Sequence, residues 1–154
     1  MHLSELLGPD AVVADLKVAS KKQALQDLSV LAARVSGLHE RTIFEALLQR
    51  EKLGTTGVGH GIAIPHGKFK ELSRIVGLFA RLDEPVDFDS IDEEPVDLVF
   101  VLLAPEGAGA DHLKALAKIS RTLRDRPTCE KIRGADGPEA IYALLLETTS
   151  GHAG

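Results

Sequence analysis

Two histidines and an arginine, His66, His112 and Arg50, carry most of the chemistry that this sequence offers. His66 lies in the stretch Gly54-Thr55-Thr56-Gly57-Val58-Gly59-His60-Gly61-Ile62-Ala63-Ile64-Pro65-His66-Gly67-Lys68. Pro65 fixes its own φ and drives Ile64 into extended backbone, and Gly67 clears the far flank, so His66 is predicted at a strand end with open approach. An imidazole in that position suits phosphoryl transfer. It attacks through an unprotonated ring nitrogen, which requires the other nitrogen to keep its hydrogen and donate it to a fixed acceptor. The residues alone leave that acceptor open. The transferred group carries charge spread over its oxygens, so catalysis is mostly positioning and neutralisation by nearby donors. His112 and Arg50 are the donors chosen here. His112 follows Asp111, a predicted helix cap, and so falls in a first turn whose amides favour an anion. Asp111 would repel a phosphoryl group unless its carboxylate were spent on those amides.

Each of these residues also has a plainer reading. Alone, His66 is a turn histidine, His112 an exposed first-turn residue and Arg50 a solvated charge complementing a helix dipole. It is their combination with the glycine block that points to chemistry. Lys68 is either a phosphate neutraliser or a solvated loop lysine, Thr55 and Thr56 either support the turn or touch phosphate, and Gly67 is a further phosphate-binding candidate. The Gly57-Val58-Gly59 segment lacks the Gly-Lys-Ser/Thr ending of a nucleotide cradle and runs into a strand rather than a helix. Zinc through His60, His66 and His112 has no His-x-x-x-His pair or cysteine cluster behind it. Neither a cofactor nor a metal is expected.

The elements that must position these groups can be read from periodicity. Val12 to Leu16 is a short β-like run. Ser20 and Gln23 form a capping-box pair that opens a helix whose Ala24, Leu25, Leu28, Leu31, Ala32 and Val35 recur at helical spacing until Gly37. A second helix is predicted from Glu40 to Lys52, with Ile43, Phe44, Leu47 and Leu48 on one side, Arg50 in its last turn and Gly54 as its stop. After the glycine loop, Ile62 to Ile64 is extended, Ile75 to Leu82 is a strand, and Val96 to Ala104 is apolar enough for a central strand covered on both faces. The loop Glu106 to Ala110 leads to a helix capped by Asp111 that turns Leu113, Leu116, Ile119 and Leu123 to the core. Gly137-Pro138 opens a last helix carrying Ile141, Leu144 and Leu145. The acidic run Asp83 to Glu94 reads as a solvated loop, with a basic partner as the sharper alternative. Helices on both sides of a mixed sheet follow.

Bulk composition bounds the answer. A chain of 154 residues, 44% hydrophobic and 27% charged with a net charge of −5, fits one soluble domain over 1–154 with a core at about 5–147 and argues against a nucleic-acid partner. The single cysteine, Cys129, cannot make an internal disulfide. No basic leader or apolar run of roughly 20 residues is seen, so no membrane insertion and a cytoplasmic home are expected. The tail from Thr148 to Gly154 is small and polar enough to fray.

The blocks Arg50-Glu51-Lys52-Leu53-Gly54-Thr55-Thr56-Gly57-Val58-Gly59 and Gly61-Ile62-Ala63-Ile64-Pro65-His66-Gly67-Lys68 resemble the signature of type-2 enzyme IIA domains of the bacterial phosphoenolpyruvate-dependent phosphotransferase system (PTS). Pro95 to Phe100 and Asp111 to Leu116 extend the match in the family's order. The resemblance implies an α/β protein, a three-layer α/β/α sandwich around a central mixed sheet. It also implies that His66 is phosphorylated by the carrier HPr or its nitrogen-branch paralogue NPr, with His112 as the second site histidine and Arg50 as the arginine before the glycine loop. Within the family the chain looks most like the nitrogen-regulatory branch, which implies regulatory targets in potassium transport or in nitrogen and carbon control. The alternative is passage of the group to a IIB protein for fructose- or mannitol-type sugar uptake. His60 departs from the asparagine expected there in some relatives; a third imidazole near His66 could shift its pKa or bind a metal, and the residues leave its role open.

Overall fold

The computed structural model describes residues 2–151, with side chains through residue 147. Six strands form one mixed sheet: β1 (Val12–Leu16), β2 (Gly57–Gly59), β3 (Ile62–Ala63), β4 (His66–Phe69), β5 (Val76–Val86) and β6 (Val96–Pro105). Their order is β1-β5-β6-β3-β2, with β4 also on β6. The apolar run predicted as a central strand is β6. It pairs antiparallel with β5 along one edge and parallel with β3 and then β4 along the other. From Leu98 to Ala104 every β6 residue is buried, so both faces of the sheet are covered.

Five helices provide that cover: α1 (Lys21–Ser36), α2 (Glu40–Leu53), α3 (Ala110–Arg124), α4 (Arg126–Arg133) and α5 (Pro138–Gly151). The first two pack on each other and reach β5 and β4, while the last three pack together against β6 and β1. α1 opens as its sequence predicts, with the Ser20 hydroxyl accepting from the Gln23 amide at 3.1 Å. The Gln23 side chain accepts from the Ala19 amide, one residue before the position a strict capping box uses. Gly37 ends α1 in the left-handed region, at φ 80°.

Several expectations are corrected. Asp111 does not cap α3. The helix starts earlier, from Gly109 at φ 49°, with no side-chain cap, and Asp111 is an exposed residue inside its first turn. The inward stripe of α3 is accordingly His112, Ala115, Ile119 and Leu123, and Leu113 is 69% exposed. A polar His112 and a small Ala115 hold core positions that a search for large apolar residues passes over. Gly57 to Gly59, read as loop, is strand β2, joined to β3 by His60 and Gly61 with φ of 57° and 81°. That tight turn, with both φ positive, is one in which asparagine-glycine is the favoured pair, which explains the asparagine expected at position 60. The acidic run is only partly a solvated loop, since β5 continues to Val86 and Phe88 and Ser90 are buried. α5 runs to Gly151 and so takes in part of the tail expected to fray, while 152–154 lie outside the described residues.

Helix α4 has no counterpart in the sequence reading. Asp125 caps it by accepting from the Thr128 amide at 3.2 Å, and Pro127 sits in its first turn. Arg81, buried in β5, donates to the carbonyls of Ile132 and Ala135 at 2.9 and 2.7 Å, so a charge in the sheet satisfies the end of α4. Arg133 in its last turn pairs with Asp97 through two hydrogen bonds.

The segment entering the glycine block is fastened by Glu51. Its carboxylate, 4% exposed, accepts from the Thr56 amide and hydroxyl, both at 2.9 Å, and pairs with Lys21 at 3.1 Å. Removing it leaves the two Thr56 donors without a partner and takes from the Lys21 ammonium its nearer carboxylate, leaving it the Phe88 carbonyl and Asp89. Glu51→Ala is therefore expected to lower folding stability by roughly 2–3 kcal/mol, seen in urea unfolding as a lower midpoint at unchanged slope.

Candidate active site

Four sequence-predicted residues converge where α2, α3 and β4 meet. His66 opens β4, and Leu102 stands opposite it on β6. Its Nδ1 lies 2.9 Å from the Ile64 carbonyl oxygen. A carbonyl only accepts, so Nδ1 carries the hydrogen and donates it, and Nε2 holds the lone pair. Ile64 is thus the acceptor that the sequence left open. No residue-type signal could have named it, because the group is backbone. The nearest clue is Pro65, which holds Ile64 extended.

Arg50, in the last turn of α2, donates through Nε to His66 Nε2 at 3.2 Å and through a terminal nitrogen to the Gly54 carbonyl at 2.8 Å. The guanidinium is thereby fixed beside the lone pair. His112 lies edge-on to His66, with ring centroids 5.6 Å apart and planes at 71°. It is 5% exposed, and its Nε2 is a buried nitrogen with no hydrogen-bond partner among the described residues. Such orphaned atoms are rare in folded proteins, and this one belongs to a residue beside the His66 ring. Lys68 shares the face of β4 with His66 by strand alternation and is exposed.

The electrostatics keep both rings neutral. Burial lowers the pKa of His66 from its ordinary 6.5, and the positive charges of Arg50 and Lys68 push the same way against the opposing Ile64 hydrogen bond and Glu51. His112 is lowered too, first by burial and then by His66 and Lys68. At neutral pH the pocket therefore presents an unprotonated ring nitrogen, held by Arg50, among cationic groups, an arrangement suited to attack on an anionic phosphorus centre.

The remaining candidates serve the scaffold. Thr55 donates its hydroxyl to the Phe88 carbonyl at 2.6 Å, and the Thr56 hydroxyl goes to Glu51. A Cβ on Gly67 would lie 3.3 Å from the Phe69 ring and 3.5 Å from Ala46 Cβ, so this glycine lets α2 close on β4. His60 stands apart from His66. Gly61, beside it, bonds to the Leu98 amide, four residues along β6 from the partner of His66, which is roughly 13 Å of strand. The role of His60, left open by the residues alone, is a contact with Arg126, and His60 is not among the groups that shift His66. Glu51 went unread as a site-building residue, yet its signal is in the sequence. It continues the Ile43, Leu47 stripe at the next four-residue step, placing a charge on a buried face.

Comparison with known proteins bears on the family and the fold. Residues 5–148 match the family described as "Phosphoenolpyruvate-dependent sugar phosphotransferase system, EIIA 2". A nitrogen regulatory protein of Bradyrhizobium diazoefficiens is 61% identical over 145 residues, covering 94% of this chain and 95% of that one. The crystal structure of nitrogen regulatory protein IIA-Ntr from Neisseria meningitidis superposes with a TM-score of 0.88 at 38% identity, over 93% of this chain and 98% of that one. The same fold occurs, at 23% identity and a TM-score of 0.76 over 91% and 98% of the two chains, in the IIA mannitol component of Escherichia coli, solved in complex with phosphorylated enzyme IIB. The fold, with its mixed sheet between two groups of helices, and the match over nearly the whole chain lead to one conclusion: this protein is a member of the EIIA type-2 family of the phosphoenolpyruvate-dependent sugar phosphotransferase system, similar within it to the nitrogen regulatory proteins.

Proposed function

We propose that this protein is a phosphohistidine relay in which His66 Nε2 takes a phosphoryl group from HPr or its paralogue NPr, and that its main role is regulatory. The observation that carries the reading is the Ile64 carbonyl on Nδ1, which leaves Nε2 as the nucleophile. In the transfer the N–P bond of the donor phosphohistidine breaks as the Nε2–P bond forms. Nδ1 keeps its hydrogen throughout, so the product is a phosphorylated imidazolium, itself a good leaving group for onward transfer. Arg50 exchanges its bond to Nε2 for the phosphoryl oxygens, and the unpartnered His112 Nε2 donates to another. Lys68 adds positive charge at the exposed rim. Leu53 and Leu113, 86% and 69% exposed beside Arg50 and His112, favour a protein as donor.

Similarity to nitrogen regulatory proteins favours regulation as the output, and the partners we propose, as the sequence resemblance implies, act in potassium transport or in nitrogen and carbon control. Phosphorylation adds about −1.5 to −2 charges at this surface and so changes which partner docks. The second reading, delivery to a IIB protein for sugar uptake, is favoured by the fold shared with the mannitol IIA domain. Either role belongs in the cytoplasm, with the carriers.

Incubation with phosphoenolpyruvate, enzyme I and an active cognate carrier is expected to add one acid-labile phosphoryl group by intact mass, none in His66→Ala. His112→Ala and Arg50→Ala are expected to accept the group about 10²- to 10³-fold more slowly. No gain in the unaltered protein would sink the relay.

The lowered histidine pKa values fix a second outcome. Because both rings bind protons more weakly folded than unfolded, stability is full above about pH 6.5 and is lost as pH falls from there through the folded values. We predict that the ring resonances of His66 and His112 titrate below 6.5 in NMR, and that the acceptance rate falls in step with His66 protonation. Titration of His66 at or above its ordinary value would contradict the neutral nucleophile.

A further inference from the structure

Next to the phosphoryl site, a cavity of about 600 Å³ opens between the β2–β3 hairpin and helices α3 and α4. Its volume falls within the range of small-molecule sites. The floor is apolar, made by Val58, Ile62, Ile64 and Leu123, and Val58 is 51% exposed although it stands on a strand. Burial pushes the Cys129 thiol up, so that residue contributes an unreactive wall.

The rim carries the opposite character. Three guanidiniums line the cavity, those of Arg124, Arg126 and Arg133, against one carboxylate, Glu130. Arg133 and Glu130 bond to each other at 3.0 Å, and Arg133 is further held by Asp97. Arg124 and Arg126 take part in none of the ion pairs made by the described residues. Arg126 rests instead on His60, with one terminal nitrogen 3.1 and 3.3 Å from the two ring nitrogens, and the residue is exposed. Two arginines that make no ion pair among the described residues, above an apolar floor, form a site with a defined chemical preference.

We propose that this cavity binds a small organic anion, one with an apolar or aromatic body that covers the Val58, Ile62, Ile64 and Leu123 floor and a carboxylate, sulfonate or phosphate held by Arg124 and Arg126. An inorganic anion leaves the floor bare, and an uncharged body leaves the guanidiniums unpaired. The Ile64 side chain lies in this floor while its carbonyl holds the His66 ring, so the site adjoins the phosphoryl site without sharing its catalytic groups.

The test uses two fluorescent probes with the same aromatic body, anionic 8-anilinonaphthalene-1-sulfonate and uncharged N-phenyl-1-naphthylamine, titrated into the folded protein. The sulfonate is expected to bind saturably, one per chain, at least about tenfold more tightly than the neutral probe. Its amide shift changes in NMR are expected to centre on residues 58–64 and 123–133. Arg124→Ala with Arg126→Ala should abolish the preference and the paired Lys substitutions should retain part of it. Val58→Glu, with a carboxylate at the floor, should weaken the sulfonate most. Unchanged urea midpoints guard against dye uptake by loosened protein. Equal affinity for the two probes, shift changes centred elsewhere, or full preference surviving loss of both arginines would each overturn the proposal.

Discussion

The hydrogen bond from His66 Nδ1 to the Ile64 carbonyl is the contact on which the site depends. It fixes the tautomer, the ring plane and the nitrogen left for chemistry in one stroke. Pro65 holds the intervening backbone, so the acceptor and the ring that uses it are set by the same three residues. A side-chain acceptor would need its own rotamer fixed, whereas this carbonyl sits between β3 and β4, both of them anchored to the central strand.

Around that bond the protein arranges charge by withholding water. Arg50 would simply be solvated at a bare helix end, but a second bond to the Gly54 carbonyl and the packing of α2 on β4 aim it at the ring. His112 tolerates burial because it stays neutral. Its cost is the unpaired nitrogen, a group worth about 1–3 kcal/mol when left unsatisfied. Functional sites commonly hold such a debt, and a ligand that supplies the missing acceptor gains it back on binding.

How far the sequence disclosed this depended on the kind of interaction involved. Apolar periodicity and terminal residues reported α1, α2, β5, β6 and α5, because each is driven by its own pattern. Short elements that exist only through neighbours were missed. β2 has two glycines and one valine, and α4 has eight residues stapled by Arg81 from another strand. His66, Arg50 and His112 were legible as residue types in a recognisable order, and their convergence came from tertiary packing. Asp111 is a good capping residue that stands two positions too deep, inside the first turn of a helix already begun from a glycine.

The pairing of β6 with β3 and β4 fixes when the site can exist. Neither β3 nor β4 pairs with the other, and each finds its parallel partner on a strand that starts at Val96, some thirty residues further along the chain. A growing chain that has already exposed His66 and Arg50 has no edge on which to align them. The reactive imidazole is therefore assembled late, by long-range strand docking of the kind that makes folding slow, and partly made chains carry its residues without its geometry.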